Sequence, residues 1–374
     1  MMQVLEAELR LVALPLVRPF RTSFGEETDK RALLIRVRTD RGTGWGECVA
    51  SPEPRYSEEF IEGARDVLRN HLVPALLRER DVAAENLREQ LGWVRGNRMA
   101  KAALEMAILD AQLRGDGRSL ASYLGAERDR VVCGVSVGIA GSIDALLDQV
   151  QGYAARGYRR VKLKIEPGWD VEPVTAVRKT FPDVPLSVDA NAAYRLADVS
   201  VFEALDALDL MMVEQPLSEE DILEHAELQR RITTPICLDE SVRSVADLRA
   251  ALSVGACRIV NIKPGRVGGL HEAREIHHVA RSEGIAVWCG GMLETGIGRA
   301  ANLALAALPG FTLPGDTSAS DRYFERDLTE PFVLEPDGTM KVPDGPGLGV
   351  EPLEDRLAVT TQWVEHLKPS GRSA

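Results

Sequence analysis

Apolar and polar positions alternate in three stretches near the N-terminus, over 4–17, 32–38 and Gly44–Val49, and this alternation predicts β-strands. Asp40-Arg41-Gly42 predicts a hairpin turn between the second and third. Helical periodicity follows over about 58–77, 83–94 and 97–114, and MAKAALEMAILDAQL in the last is amphipathic. Gly125 closes this α+β region. From about residue 131 the pattern changes to short runs rich in Val and Ile: VVCGVSVGI, RRVKLKI, PLSVDAN, DLMMVEQPL, TPICLDES, CRIVNIKPG, AVWCGGMLE and FTLPGDTS. Each of these eight runs precedes a helix-sized interval, as a (β/α) barrel requires, whereas a Rossmann sheet usually stops at about five to seven strands.

The polar residues that end these runs keep a fixed period. Lys164, Asp189, Glu214, Asp239 and Lys263 are 25, 25, 25 and 24 residues apart. That is about one βα unit, so each takes the same place on successive strands, at the barrel mouth where active sites of this fold lie. A solenoid would need self-similar intervening residues, and these are not. After residue 320 the alternation stops. FVLEPDGTMKVPDGPGLGV predicts a hairpin at Asp337-Gly338 and a Gly/Pro-rich loop, followed by a short helix and a polar tail. This piece is too small for its own core and is expected to pack on the N-terminal region.

Composition narrows the classes further. The 374 residues are 45% hydrophobic and 27% charged, which excludes disordered, collagenous and disulfide-scaffold proteins. Lys plus Arg total 45 against 57 Asp plus Glu, a net charge of −12, and this argues against a nucleic-acid partner. Cys48, Cys133, Cys237, Cys257 and Cys289 include no CxxC pair and are expected to be reduced thiols of a cytoplasmic enzyme. Glu6, Glu8 and Arg10 interrupt any signal-peptide core, and Asn302, Pro309, Gly310 and Pro314 break the longest uncharged stretch, so no membrane segment is expected.

Three carboxylates, Asp189, Glu214 and Asp239, end three consecutive strands. Like charges converging there would repel unless a cation neutralised them, and all-oxygen ligation suits Mg²⁺ or Mn²⁺ rather than zinc. The alternative is that each carboxylate caps the next helix. Lys162 and Lys164, two apart in a strand, point to one face, the barrel interior. Burial near a cation is expected to lower such a lysine's pKa toward neutrality and make it a base. Lys263 comes from the opposite wall. Two lysines flanking a metal suit removal of a proton α to a carboxylate; the alternative is structural ion pairing. The six histidines, His71, His225, His271, His277, His278 and His366, end no barrel strand and are expected at the surface. Gly296, Gly298 and Ala301 fit a GxGxxA fingerprint formally, but this is read as a glycine-assisted helix N-terminus able to hold an anionic group.

Through KLK, VDAN, EQPL, LDES, NIKPGRVGG and GGMLETGIG the chain resembles the enolase superfamily, over nearly its full length. The Lys-x-Lys strand and the lone Lys263 place it near the muconate-lactonising subgroup. YRRVKLKIEPGWD, RGNRMAKAALEMA, CLDESV and WCGGMLETGIGRA are similar to the o-succinylbenzoate synthases that also racemise N-succinyl- and other N-acylamino acids. The resemblance implies an α/β fold, a (β/α)7β TIM-like barrel over 126–320. An α+β capping domain would comprise 1–125 and the C-terminal segment 321–374. It implies that Asp189, Glu214 and Asp239 bind one Mg²⁺ (or Mn²⁺) and that Lys164 and Lys263 are catalytic. Lys162 would be an accessory cation, with Asn191 and Glu240 beside the metal. Arg266 also recurs in racemising members. Capping loops around Phe20–Phe24 and Ala50–Tyr56 would cover the pocket, and Ser136, Gly291 and Met292 would line it. The implied partner is a small-molecule carboxylate, with no nucleic acid and no membrane, and a homo-oligomer is expected.

Two reactions share this chemistry. One is dehydration of a succinyl-bearing cyclohexadiene carboxylate to o-succinylbenzoate, for menaquinone synthesis. The other is racemisation of an N-acylamino acid. A dipeptide epimerase would carry an Asp-x-Asp pair after the last strand to hold an α-ammonium, and GDTSAS offers only Asp316. A non-enzymatic relative would have lost the lysines or carboxylates, which are intact.

Overall fold

The computed structural model describes residues 2–369. Val4–Thr22 (β1), Gly25–Thr39 (β2) and Thr43–Cys48 (β3) form consecutive antiparallel hairpins. The turn at 40–42 falls where Asp-Arg-Gly predicts it. Helix Arg98–Asp116 packs on β3 and β2, and its burial departs from the amphipathic reading. It is apolar-buried on nearly all faces because the capping sheet covers one side and the barrel segment Pro264–Val267 the other. Close approach to this helix requires Gly46: a Cβ there would run into the Ala103 carbonyl. The stretch over 58–77 is helical from Ile61 to Arg78 with a π-turn at Leu68–Leu72, and that over 83–94 shortens to Ala84–Gln90.

Arg130–Val132 (β4) leads into a seven-stranded parallel sheet: Val135–Val137 (β5), Val161–Lys164 (β6), Leu186–Asp189 (β7), Val213–Glu214 (β8), Ile236–Leu238 (β9), Ile259–Ile262 (β10) and Ala286–Cys289 (β11). Neighbours in sequence are neighbours in space, with a crossover of helical or turn structure between them. The strands are buried on both faces, which explains why they read as apolar runs rather than alternating ones. The eighth run, FTLPGDTS, is not a strand. Phe311 makes a parallel bridge to Val287 of β11 and Gly315 one to Cys133 before β5, so this segment joins the two sheet edges by isolated pairs. Pro314, which lacks an N–H, prevents a longer ladder.

The C-terminal segment divides between the two regions. The turn at Asp337-Gly338 forms, closed by the Gly338 N–H on the Glu335 carbonyl and the Glu335 N–H on the Thr339 carbonyl, and Thr339–Lys341 (β12) goes on to pair with β4. The residues read as a polar tail include Thr361–Leu367 (β13), which adds to the edge of the capping sheet against β1. Alternating burial along β13 shows the reason: only one face is covered. All five cysteines are buried and free. Among the described residues, no helix is long and apolar enough to cross a membrane.

Candidate active site

Pairing register carries the site. Lys164 aligns with Asp189, and Asp189 with Glu214, across β6, β7 and β8. Glu214 aligns with Cys237, so Asp239, two residues on, shares its face. Lys263 follows β10 directly, four strands around from β6. Above these strand ends lies a cavity of about 650 Å³, its mouth included. Lys162, Lys164, Asn191, Lys263, Ser136, Gly291 and Met292 line it from the barrel, and Phe20 and Tyr56 from the capping region. Asp189, Glu214, Asp239, Glu240 and Arg266 lie beside and beneath it, all but fully buried.

Each lysine is held by carboxylates. Lys162 Nζ stands 2.7 Å from Glu214, 2.7 Å from Asp316 and 3.1 Å from Asp189. Lys164 donates to Asp189 at 2.7 Å and to Asn191 Oδ1 at 2.5 Å. Lys263 donates to Asp239 at 2.6 Å and to the Tyr56 hydroxyl at 3.1 Å. Arg266 Nε lies 3.0 Å from Asp239 Oδ1, while its other nitrogens donate to the Val242 and Asn261 carbonyls. Asn191 bridges outward, donating to Glu240 at 2.9 Å. Asn191 (φ 43°) and Gln215 (φ 36°) both adopt the left-handed region just past a strand end, where backbone strain of roughly 1–3 kcal/mol is held by surrounding hydrogen bonds. The Gln215 side chain accepts from the Asp239 and Ser241 backbone N–H groups and so fixes the turn after β9.

Protonation follows from this packing of carboxylates around the lysines. Burial alone disfavours the Lys162 ammonium, but Asp316, Glu214 and Asp189 outweigh it and raise its pKa well above the ordinary value. Asp239 and Tyr56 do the same for Lys263. Burial would raise Asp189, yet Lys164 and Lys162 hold it well below the usual carboxylate range. Burial and the adjacent Asp189 charge push Glu214 up to about 8, against the pull of Lys162. Burial and Asp239 likewise push Glu240 up to about 7.

Whether these residues suit a divalent ion is answered by their oxygens. Among the described residues no three acidic, histidine or cysteine side chains converge on a single point, because ammonium groups stand between the carboxylates. Asp239 Oδ1 and Glu240 Oε2 are nonetheless buried without a hydrogen bond, Arg266 Nε being near the former but misaligned. Buried acceptors left open, a glutamate driven toward protonation and an oxygen-only donor set fit a hard divalent cation.

Several residues were given no place in the site by the sequence reading. Asp316 binds both Lys162 and the fully buried Arg160, whose guanidinium stacks over Trp288. Asn261 donates to Glu214 at 2.7 Å, and Gly290 must lack a side chain because a Cβ would strike Asn261. An inward-facing asparagine two residues before Lys263 was the available signal. The histidine expectation is corrected at two positions. His225 and His277 are buried: His225 receives the Leu217 N–H and touches the Asp221 carbonyl, and His277 stacks on Phe311. Both complete helix–loop packing away from the cavity. The anion at the helix starting at Gly296 is supplied internally, since Glu47 accepts from Thr295 and Gly298 and Asp327 from Gly296.

A capping sheet over a parallel barrel, with lysines and carboxylates in register at its mouth, defines the class of protein. Residues 5–125 match the mandelate racemase / muconate lactonizing enzyme N-terminal domain and 145–356 the enolase C-terminal domain-like family; the chain belongs to the enolase superfamily. That superfamily is divalent-metal dependent. The chain is 58% identical to an N-succinylamino acid racemase of Amycolatopsis sp., covering 97% of this chain and 99% of the relative. It is 48% identical to an o-succinylbenzoate synthase of Geobacillus kaustophilus, covering 96% of each. A solved enolase-superfamily member from Listeria innocua superimposes with a TM-score of 0.94 at 42% identity, over 98% of this chain and 100% of that one.

Proposed function

We propose that the chain is a divalent-metal-dependent o-succinylbenzoate synthase, dehydrating a succinyl-bearing cyclohexadiene carboxylate, and that the same site racemises N-succinyl- and other N-acylamino acids. The observation that carries this reading is that Lys164 and Lys263, four strands apart around the barrel, line one cavity. Asp189, Glu214 and Asp239 would hold the metal, with Asn191 and Glu240 beside it. When bound, the metal supplies positive charge that draws electron density from the α-carbon toward the substrate carboxylate. Lys164 takes the α-proton. In dehydration it returns that proton to the departing hydroxyl oxygen, so one C–H and one C–O bond break, a C=C bond completes the aromatic ring, and water leaves. In racemisation Lys263 delivers a proton to the opposite face of the same carbon. Lys162 offsets negative charge beneath the substrate, and Arg266 keeps Asp239 oriented toward Lys263.

A dedicated N-acylamino acid racemase is the second reading, favoured by the lysine on each side. Dipeptide epimerisation is disfavoured because Asp316 is committed to Lys162 and Arg160 and is not free to hold an α-ammonium. The capping region is taken as 1–125 with 321–374, the barrel as 126–320, the assembly as a homo-oligomer and the location as cytoplasmic. The test is a side-by-side screen with Mg²⁺. Dehydration is followed by ultraviolet absorbance, and epimerisation of N-succinyl, N-acetyl and dipeptide substrates by polarimetry. N-acylated bulky apolar amino acids should be turned over and dipeptides should fail; faster epimerisation of Ala-Glu-type dipeptides contradicts the reading.

A further inference from the structure

Four lysines line the cavity, and three are paired with carboxylates as described. The fourth is Lys30, from β2 of the capping sheet. Its side chain is buried, with 3% exposure, yet it makes no salt bridge among the described residues. Its single hydrogen bond goes to the Met292 carbonyl at 2.8 Å. An ammonium has three donors, so two are left without a protein acceptor. Glu47 feels the Lys30 charge, but both Glu47 oxygens accept from Thr295 and Gly298 and do not pair with it. Sequestering an ammonium without a counter-ion is costly, and it persists where something else supplies the negative charge.

Position identifies that supplier. The Met292 main chain holds Lys30, while the Met292 sulfur lies 3.6 Å from Lys263 Nζ. Lys30 is therefore one residue's width from the proton-transfer groups, on the Lys263 side, with Phe20, Phe24 and Leu293 also on the cavity wall. A monocarboxylate gathered at the strand ends would leave this ammonium bare. A dicarboxylate would not.

We propose that Lys30 receives the second carboxylate of the substrate, at the far end of its succinyl arm. This rests on the function proposed above and makes Lys30 a specificity determinant, selecting succinyl over uncharged acyl groups. A charge-assisted hydrogen bond in such a site is worth on the order of 10- to 100-fold in kcat/KM.

The wild-type enzyme with Mg²⁺ is assayed on N-succinyl-L-phenylalanine and on its terminal-carboxamide analogue, which keeps the shape and loses the charge. The carboxylate should be preferred by roughly 10- to 100-fold; equal kcat/KM for the two overturns the proposal without any mutation. In Lys30→Met this preference should collapse toward one, and in Lys30→Arg it should persist. A Lys30→Met enzyme that keeps the full preference also overturns it. N-Acetyl-L-phenylalanine separates the two claims. If it is racemised with no advantage from succinyl, Lys30 is misassigned while the function stands. If no N-acylamino acid is turned over, the racemase reading itself fails.

Discussion

Lys162 Nζ stands 2.7 Å from Asp316 Oδ2 and ties β6 to the segment that joins the two edges of the barrel sheet. Arg160, two residues earlier and on the same strand face, binds the other Asp316 oxygen. Where the eighth run lacks a regular ladder, this buried ion triad fixes it. Burial would raise Asp316, but Lys162 and Arg160 hold it below the usual carboxylate range.

Asp316→Asn should therefore leave two buried cations undercompensated and cost about 3–5 kcal/mol of stability, as breaking buried pairs does. Urea denaturation measures it, and a loss below about 1 kcal/mol would show that the triad does not hold the closure.

The carboxylate set predicts a metal requirement. Exhaustive chelation should abolish turnover and Mg²⁺ or Mn²⁺ should restore it, whereas full activity after chelation removes the metal from the account. Glu214→Gln deletes one charge with little change of shape and should weaken Mg²⁺ binding by about tenfold or more in calorimetry. Unchanged affinity takes Glu214 out of the ligand set.

Much of this was legible because barrel chemistry repeats at the βα period. The spacing of Lys164, Asp189, Glu214, Asp239 and Lys263 located the mouth before any fold was known, and the apolar runs marked seven strands correctly. What escaped depends on contacts between distant segments. The failure of FTLPGDTS to form a strand is consistent with the proline and glycine in its middle, and β13 exists because β1 offers an open edge, which no local pattern in a polar tail reports. His225 and His277 misled because a histidine on a polar helix looks exposed until the loop that covers it is placed. Lys30 was invisible for the same reason: nothing in β2 shows that Met292 lies above it.

Glu47 gives a pH prediction. Burial pushes its carboxyl up to about 7, against the opposing charge of Lys30. Its folded pKa exceeds the unfolded one, so its contribution is fully present below about pH 4.5 and is lost as pH rises through about 7. Wild type should lose roughly 1–3 kcal/mol across that window relative to Glu47→Gln, whose curve lacks this slope. Parallel stability–pH curves for the two proteins would refute it.

The central claim is that Lys164 and Lys263 address opposite faces of one carbon. In deuterated water, Lys263→Ala should exchange the α-proton of one enantiomer of an N-succinylamino acid without racemising it, and Lys164→Ala should exchange only the other. Dehydration, which uses one face, should vanish with Lys164→Ala. The decisive readout is the stereochemistry of residual exchange, followed by proton NMR on each pure enantiomer, rather than the size of the rate loss. Opposite enantiomers labelled by the two variants is the result predicted here; the same enantiomer labelled by both would contradict the two-faced site even with the metal requirement intact.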